Sequence, residues 1–184
     1  FNMYHSYTVD EHTIQTISHL AAIERRELIE ELPVASGILA NGLNRKVLYI
    51  ALLLHDIGKG RSEDHSVLGA KIVREVAPRL GLKAREVETV EWLVRHHLLM
   101  SDMAQKRDIA DPRTVRDFAK AVQSVKRLDL LTVLTVCDIS GVGPGVWNNW
   151  KAVLIRALYR QTKKALETGL EDLNRENRGT EAKR

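Results

Sequence analysis

Val47 to Leu54 is apolar almost all round and runs without a break into His55-Asp56-Ile57-Gly58-Lys59-Gly60. An element with no polar face is expected at the centre of a fold, buried on every side, and the two glycines end it. Such a helix delivers an imidazole and a carboxylate into an apolar interior. An ionised Asp without a partner there costs several kcal/mol, so the pair demands a cation or a dense set of donors. A helix C-terminal cap would account for His55, which suits the negative end of the dipole. It does not account for Asp56, which that end disfavours.

The rest of the chain divides into about seven segments of mostly helical period, with no internal repeat. Thr8-Val9-Asp10-Glu11 has the spacing of a capping box, and a helix with Ile14, Ile17 and Ala21 on one face should follow. Pro33, Gly37, Asn41 and Gly42 read as a loop or short irregular elements. Further helices are expected from Ser66 to Leu80, disturbed at Pro78 and stopped at Gly81, and from Arg85 to Leu99. Asp111-Pro112 starts another, with Phe118 and Val122 on its inner face. Val125 to Ile139 mixes helical spacing with β-branched pairs, Thr132-Val133 and Thr135-Val136. With no second strand candidate to pair with, it is read as helix. After Gly141-Val142-Gly143-Pro144-Gly145, a last helix runs from Trp147 to about Thr168. The fold class is all-α, a helical bundle. Residues 1–170 form the domain, and 171–184, rich in charge, form a solvated tail or linker.

Composition narrows the partners. The net charge of +4 comes without a dense basic run, so nucleic acid is not suggested. No apolar run reaches the roughly 18 to 20 residues of a membrane span, and no secretory leader is visible. Position 1 is Phe, which reads as a piece of something longer. Cys137 is the single cysteine. That excludes an intrachain disulfide or a multi-cysteine zinc site, and it fits a reducing cytoplasm.

Asp138 repeats the argument made for Asp56. It lies four residues after Leu134 and seven after Leu131, on an apolar stripe with no Lys or Arg within a turn. A metal ion shared with His55 and Asp56 would satisfy both carboxylates; a helix end turning at Gly141 is the alternative. His12 lies in the first turn after Thr8, and His65 opens a helix beside Asp64. His97 continues the Val87, Val90, Val94 stripe and should point inward, with His96 rotated toward the edge. His5 and His19 have no such support and are read as structural or exposed.

The ordered set His12, His55-Asp56, His65, His97 and Asp138 resembles the HD superfamily of metal-dependent phosphohydrolases. Longer matches are Tyr7-Thr8-Val9-Asp10-Glu11-His12-Thr13, Leu54 to Arg61, Asp64-His65-Ser66, His97-Leu98-Leu99-Met100, Leu134 to Ile139 and Trp147-Asn148-Asn149-Trp150. These are similar to the central HD domain of bifunctional PII uridylyltransferase/uridylyl-removing enzymes. The resemblance implies hydrolysis of the phosphodiester that joins UMP to a tyrosine of the PII nitrogen-signalling protein. It also implies a preceding nucleotidyltransferase domain and following glutamine-sensing ACT domains, neither visible in this chain.

The resemblance further implies one or two divalent ions, Mn, Mg, Fe or Zn, since nitrogen and oxygen donors do not select sharply. His12, His55, Asp56 and Asp138 would hold the first, and His65 and His97 a second, with Asp56 bridging. Lys59 is expected to stabilise charge on the phosphoryl oxygens, with Arg61 a weaker candidate; both also fit a solvated basic turn. Asp64 would orient His65 or assist proton transfer. Arg95 and His96 lie near the expected mouth, where His96 departs from the polar uncharged residue expected in relatives. Trp147 and Trp150 are expected to pack as aromatic core. Hydrolysis of a free nucleotide (a dNTP or a guanosine alarmone), adenylyl removal, and a non-catalytic nucleotide- or PII-binding module remain open.

Overall fold

A computed structural model describes residues 8–60, 64–143 and 147–182, with side chains to residue 169. His5, Tyr7, Arg61, Pro144 and Gly145 lie outside the described residues. Among those described there is no strand, and nine α-helices form rather than about seven. They are α1 (Val9–Glu24), α2 (Pro33–Ala40), α3 (Arg45–Leu54), α4 (His65–Val76), α5 (Ala84–Arg95), α6 (Leu99–Lys106), α7 (Pro112–Val122), α8 (Val125–Ser140) and α9 (Asn149–Ala182). The all-α reading holds.

Helix starts follow the capping chemistry. Thr8 Oγ1 accepts from the Glu11 amide at 3.3 Å, and Asp111 Oδ1 accepts from the Arg113 amide at 2.9 Å with Pro112 at the first helical position. Phe118 and Val122 are buried as expected. Pro33, expected to break the chain, instead opens α2, because a missing N–H costs nothing in the first turn. Pro78 falls where α4 gives way to a 3-10 turn, Ala77–Leu80, which ends at Gly81 with φ of 81°.

The centre of the bundle is α8, not α3. Ten of its side chains, from Leu128 to Ile139, are buried, and α1, α2, α3, α5, α6, α7 and α9 all pack against it. Its β-branched threonines are accommodated because Thr132 and Thr135 donate to the carbonyls of Leu128 and Leu131, both at 2.7 Å. α3 packs on α1, α5 and α8 and leaves Leu53 48% exposed, so it is not buried on every side. In α1 the inward stripe is His12, Thr16, Leu20 and Ile23, while Ile14 is 61% exposed. Two polar side chains occupy the inner face there, which rotates the apolar face away from the expected one.

Two more differences concern the C-terminal half. Trp147 packs partly against the core, but Trp150 is exposed, so the pair is not aromatic core. α9 does not stop near Thr168; it continues to Ala182, 34 residues in all. No described helix is long and apolar enough to cross a membrane.

Candidate metal centre

Helix ends build the site. His55 is the residue at the C-cap of α3, and its Nδ1 donates to the carbonyl of Leu52 at 2.6 Å. His97 repeats the arrangement just beyond α5, donating to Val94 O at 2.6 Å. Each ring satisfies a carbonyl that the last helical turn leaves without a partner. α5 stops here, at Arg95 rather than Leu99, and α6 starts anew at Leu99. His12 comes from the first turn of α1, and its Nδ1 donates to Gly141 O, the C-cap of α8, at 2.8 Å.

A carbonyl can only accept, so all three Nδ1 atoms carry the proton and all three Nε2 atoms face inward. There they meet carboxylates. Asp138 Oδ1 lies 2.7 Å from His12 Nε2 and 3.2 Å from His55 Nε2. Asp56 Oδ2 lies 3.2 Å from His55 Nε2 and 3.5 Å from His12 Nε2, and its Oδ1 lies 3.6 Å from His97 Nε2 and 3.8 Å from His65 Nε2. One ligand atom from each of His12, His55, Asp56 and Asp138 lies within 4.8 Å of the others; Asp56, His65 and His97 form a second such group. The six residues proposed from the sequence as ligands therefore meet at one place, with Asp56 in both groups.

Whether these residues fit a metal follows from their chemistry. With Nδ1 committed, an Nε2 can approach a carboxylate favourably only by taking an extra proton or by sharing a cation with it. His12 and His55 bring their Nε2 atoms within 3.3 Å of each other, which sets lone pair against lone pair unless positive charge lies between. His65 Nε2 is buried without a hydrogen-bond partner. A divalent ion answers all three features, and a donor set of nitrogen and oxygen suits one.

The electrostatics agree. Burial opposes charge on His55, but the Asp138 and Asp56 carboxylates outweigh it and push its pKa up to about 10. Burial would raise Asp56, yet the His55 and His97 imidazoles beside it and the charges of His55 and Lys59 hold it well below the usual carboxylate range. Asp138 is held down likewise, by the His55 charge and by the close His12 and His55 rings. Both carboxylates stay ionised and draw positive charge inward. His65 shifts downward, through burial and the neighbouring His97.

Exposure gives the direction of approach. His12, His55 and His97 are closed off, whereas the side chains of Asp138, Lys59 and His65 are 16%, 22% and 27% exposed and form the rim. Lys59 lies on the turn between Gly58 and Gly60, its Nζ 3.4 Å from Asp56 Oδ2. Asp64 is at the N-cap of α4, its Oδ1 accepting from the Ser66 and Val67 amides at 2.9 and 3.2 Å. These two hydrogen bonds, Val67's first, lower its pKa. They place Asp64 as the residue that fixes the helix start carrying His65. His96 stacks against Trp92, whose ring also carries Arg127, so it faces away from the centre. His19 donates to Gln15 O within its own helix. The orienting carbonyls of Leu52, Val94 and Gly141 have no side-chain signature; the glycine after Asp138 read only as a helix stop.

The whole chain is 77% identical to a bifunctional uridylyltransferase/uridylyl-removing enzyme of Ruegeria pomeroyi and equally to one of Cereibacter sphaeroides, covering 20% of each. A protein of the same name from Azospirillum brasilense is 55% identical over 170 residues, 92% of this chain and 18% of the relative. The chain thus spans about one fifth of the length of the curated relatives it matches. The family described as HD domain matches residues 9–134, and the chain belongs to that family.

Proposed function

We propose that this chain is the uridylyl-removing domain of a bifunctional uridylyltransferase/uridylyl-removing enzyme, a metal-dependent phosphohydrolase that releases UMP from a uridylylated tyrosine of PII. The observation supporting this reading is one cluster of four imidazoles and two ionised carboxylates with a lysine at its rim, in a chain 77% identical throughout to enzymes so named. A water oxygen bonds to phosphorus, the bond from phosphorus to the tyrosine oxygen breaks, and that oxygen takes up a proton.

His12, His55, Asp56 and Asp138 would hold one divalent ion, and Asp56, His65 and His97 would hold another. Such ions, when bound, would supply a lowered pKa for water and compensation of charge on the phosphoryl oxygens. The carbonyls of Leu52, Val94 and Gly141 keep each Nδ1 protonated, so each Nε2 stays aimed at the centre. Lys59, at the rim, turns from Asp56 to a non-bridging phosphoryl oxygen, and Arg61, two residues further along the sequence, assists. Asp64 positions His65 by capping α4. Residues 1–170 form the catalytic domain and 171–184 lead toward C-terminal ACT domains, with a nucleotidyltransferase domain on the N-terminal side and the whole enzyme in the cytoplasm.

A substrate comparison tests this. Manganese-loaded protein is offered uridylylated PII, an adenylylated protein, a dNTP and a guanosine alarmone, and products are separated by chromatography. UMP from PII should dominate. Faster turnover of a free nucleotide would replace PII as the substrate, and turnover of none would favour a binding module.

A further inference from the structure

Three glycines lie where ligand-bearing segments touch, and none has a positive φ. What each provides is closeness rather than unusual backbone. A Cβ on Gly141 would lie 2.7 Å from Thr16 Cγ2 and 3.1 Å from the Thr16 amide nitrogen, one turn along α1 from His12. Gly141 also supplies the carbonyl that orients His12. A Cβ on Gly58, two residues after Asp56, would overlap the backbone oxygen of His65 and lie 3.0 Å from the Gly69 amide nitrogen. A Cβ on Gly69 would lie 2.9 Å from Val94 Cγ1, and Val94 carries the carbonyl that orients His97. By contrast, a Cβ on Gly37 meets nothing within 4 Å.

We propose that Gly141 and Gly58 are positioning residues that govern separate halves of the centre: Gly141 seats His12 in the four-ligand group, and Gly58 seats His65 in the three-ligand group. The inference rests on the metal reading above. At Gly58 the obstacle is backbone, which no rotamer change can move aside. The segment that carries His65 therefore has to shift to admit a Cβ at Gly58. At Gly141 the nearest obstacle is one methyl group, which Thr16→Ser removes, leaving the Thr16 nitrogen and the Cys137 carbonyl oxygen at a tight 3.1 Å that a small shift accommodates.

The test compares wild type, Gly141→Ala, Gly58→Ala, Gly37→Ala and the double variant Gly141→Ala/Thr16→Ser. Imidazole nitrogen resonances are recorded without metal, and Mn²⁺ binding is then titrated. Gly141→Ala should move the His12 resonances, spare those of His65, and weaken one Mn²⁺ equivalent about tenfold or more; Thr16→Ser should restore both. Gly58→Ala should do the converse for His65 and the other equivalent, and Gly37→Ala should do neither. If Gly141→Ala fails to fold, folding of the double variant supports the joint, and failure of both overturns it. Wild-type resonances in Gly141→Ala and Gly58→Ala overturn the inference. Localised resonance shifts in a protein that binds no Mn²⁺ support the positioning roles while refuting the metal reading.

Discussion

Asp56 is the one residue common to both ligand groups, so Asp56→Ala should cost the protein every divalent ion rather than one. One carboxylate oxygen faces His12, His55 and Lys59 at 3.2 to 3.5 Å, and the other faces His97 and His65 at 3.6 and 3.8 Å. Removing it opens both groups on their shared side. An ion present at a hundred times its dissociation constant stabilises the folded state by about 2.7 kcal/mol. For a chain of this size each kcal/mol is worth roughly 2–4 °C in Tm, so each ion should raise Tm by about 5–11 °C. Thermal unfolding with and without Mn²⁺, each variant against its own chelated baseline, reads this directly. Asp56→Ala should lose the whole increment, whereas His65→Ala and Asp138→Asn should each lose only part. A wild-type increment in Asp56→Ala, or loss of the whole increment in His65→Ala, would refute the bridging arrangement.

Lys59→Gln should lower kcat by about 10²–10³-fold while leaving Mn²⁺ stoichiometry unchanged, since the lysine stands at the rim; a loss of bound Mn²⁺ would instead make it part of the ion's support. Asp64→Ala should fray the first turn of α4 and weaken the three-ligand group about tenfold, read as one weakened equivalent in a Mn²⁺ titration. Glu24 is held below its usual value of 4.5 chiefly by hydrogen bonds from Arg45 and Tyr49. Because its folded pKa is the lower one, its contribution is present above the unfolded value and fades as pH falls through the folded value. Urea unfolding from pH 6 downward should therefore show a shallower acid loss in Glu24→Gln, and identical slopes would contradict that assignment.

What the sequence made legible was local chemistry and spacing. Asp111-Pro112 announced α7, and the valines at 87, 90 and 94 placed His97 inward, where it is 1% exposed. What escaped depended on tertiary partners. The apolar face of α1 was misread at Ile14, which is exposed because His12 and Thr16 take the inward positions, while Ile17 packs partly against the core. α3 and α8 are both rich in apolar residues, and only packing decides that α8 is surrounded while Leu53 faces outward. The break between α5 and α6 coincides with a side-chain hydrogen bond, His97 Nδ1 to Val94 O, that no propensity encodes. The types and order of the six ligand candidates were visible in the chain; the carbonyls and close glycine contacts that aim them were not.

The most direct test of the account joins metal content to chemistry on one sample. The protein, alone and within the full-length enzyme, is stripped with chelator and reloaded with Mn²⁺. Bound metal and UMP released from uridylylated PII are then measured together, with Asp56→Ala alongside. Release should fall with chelation, return with Mn²⁺, and be absent from Asp56→Ala. Undiminished UMP release from stripped protein or from Asp56→Ala would contradict it.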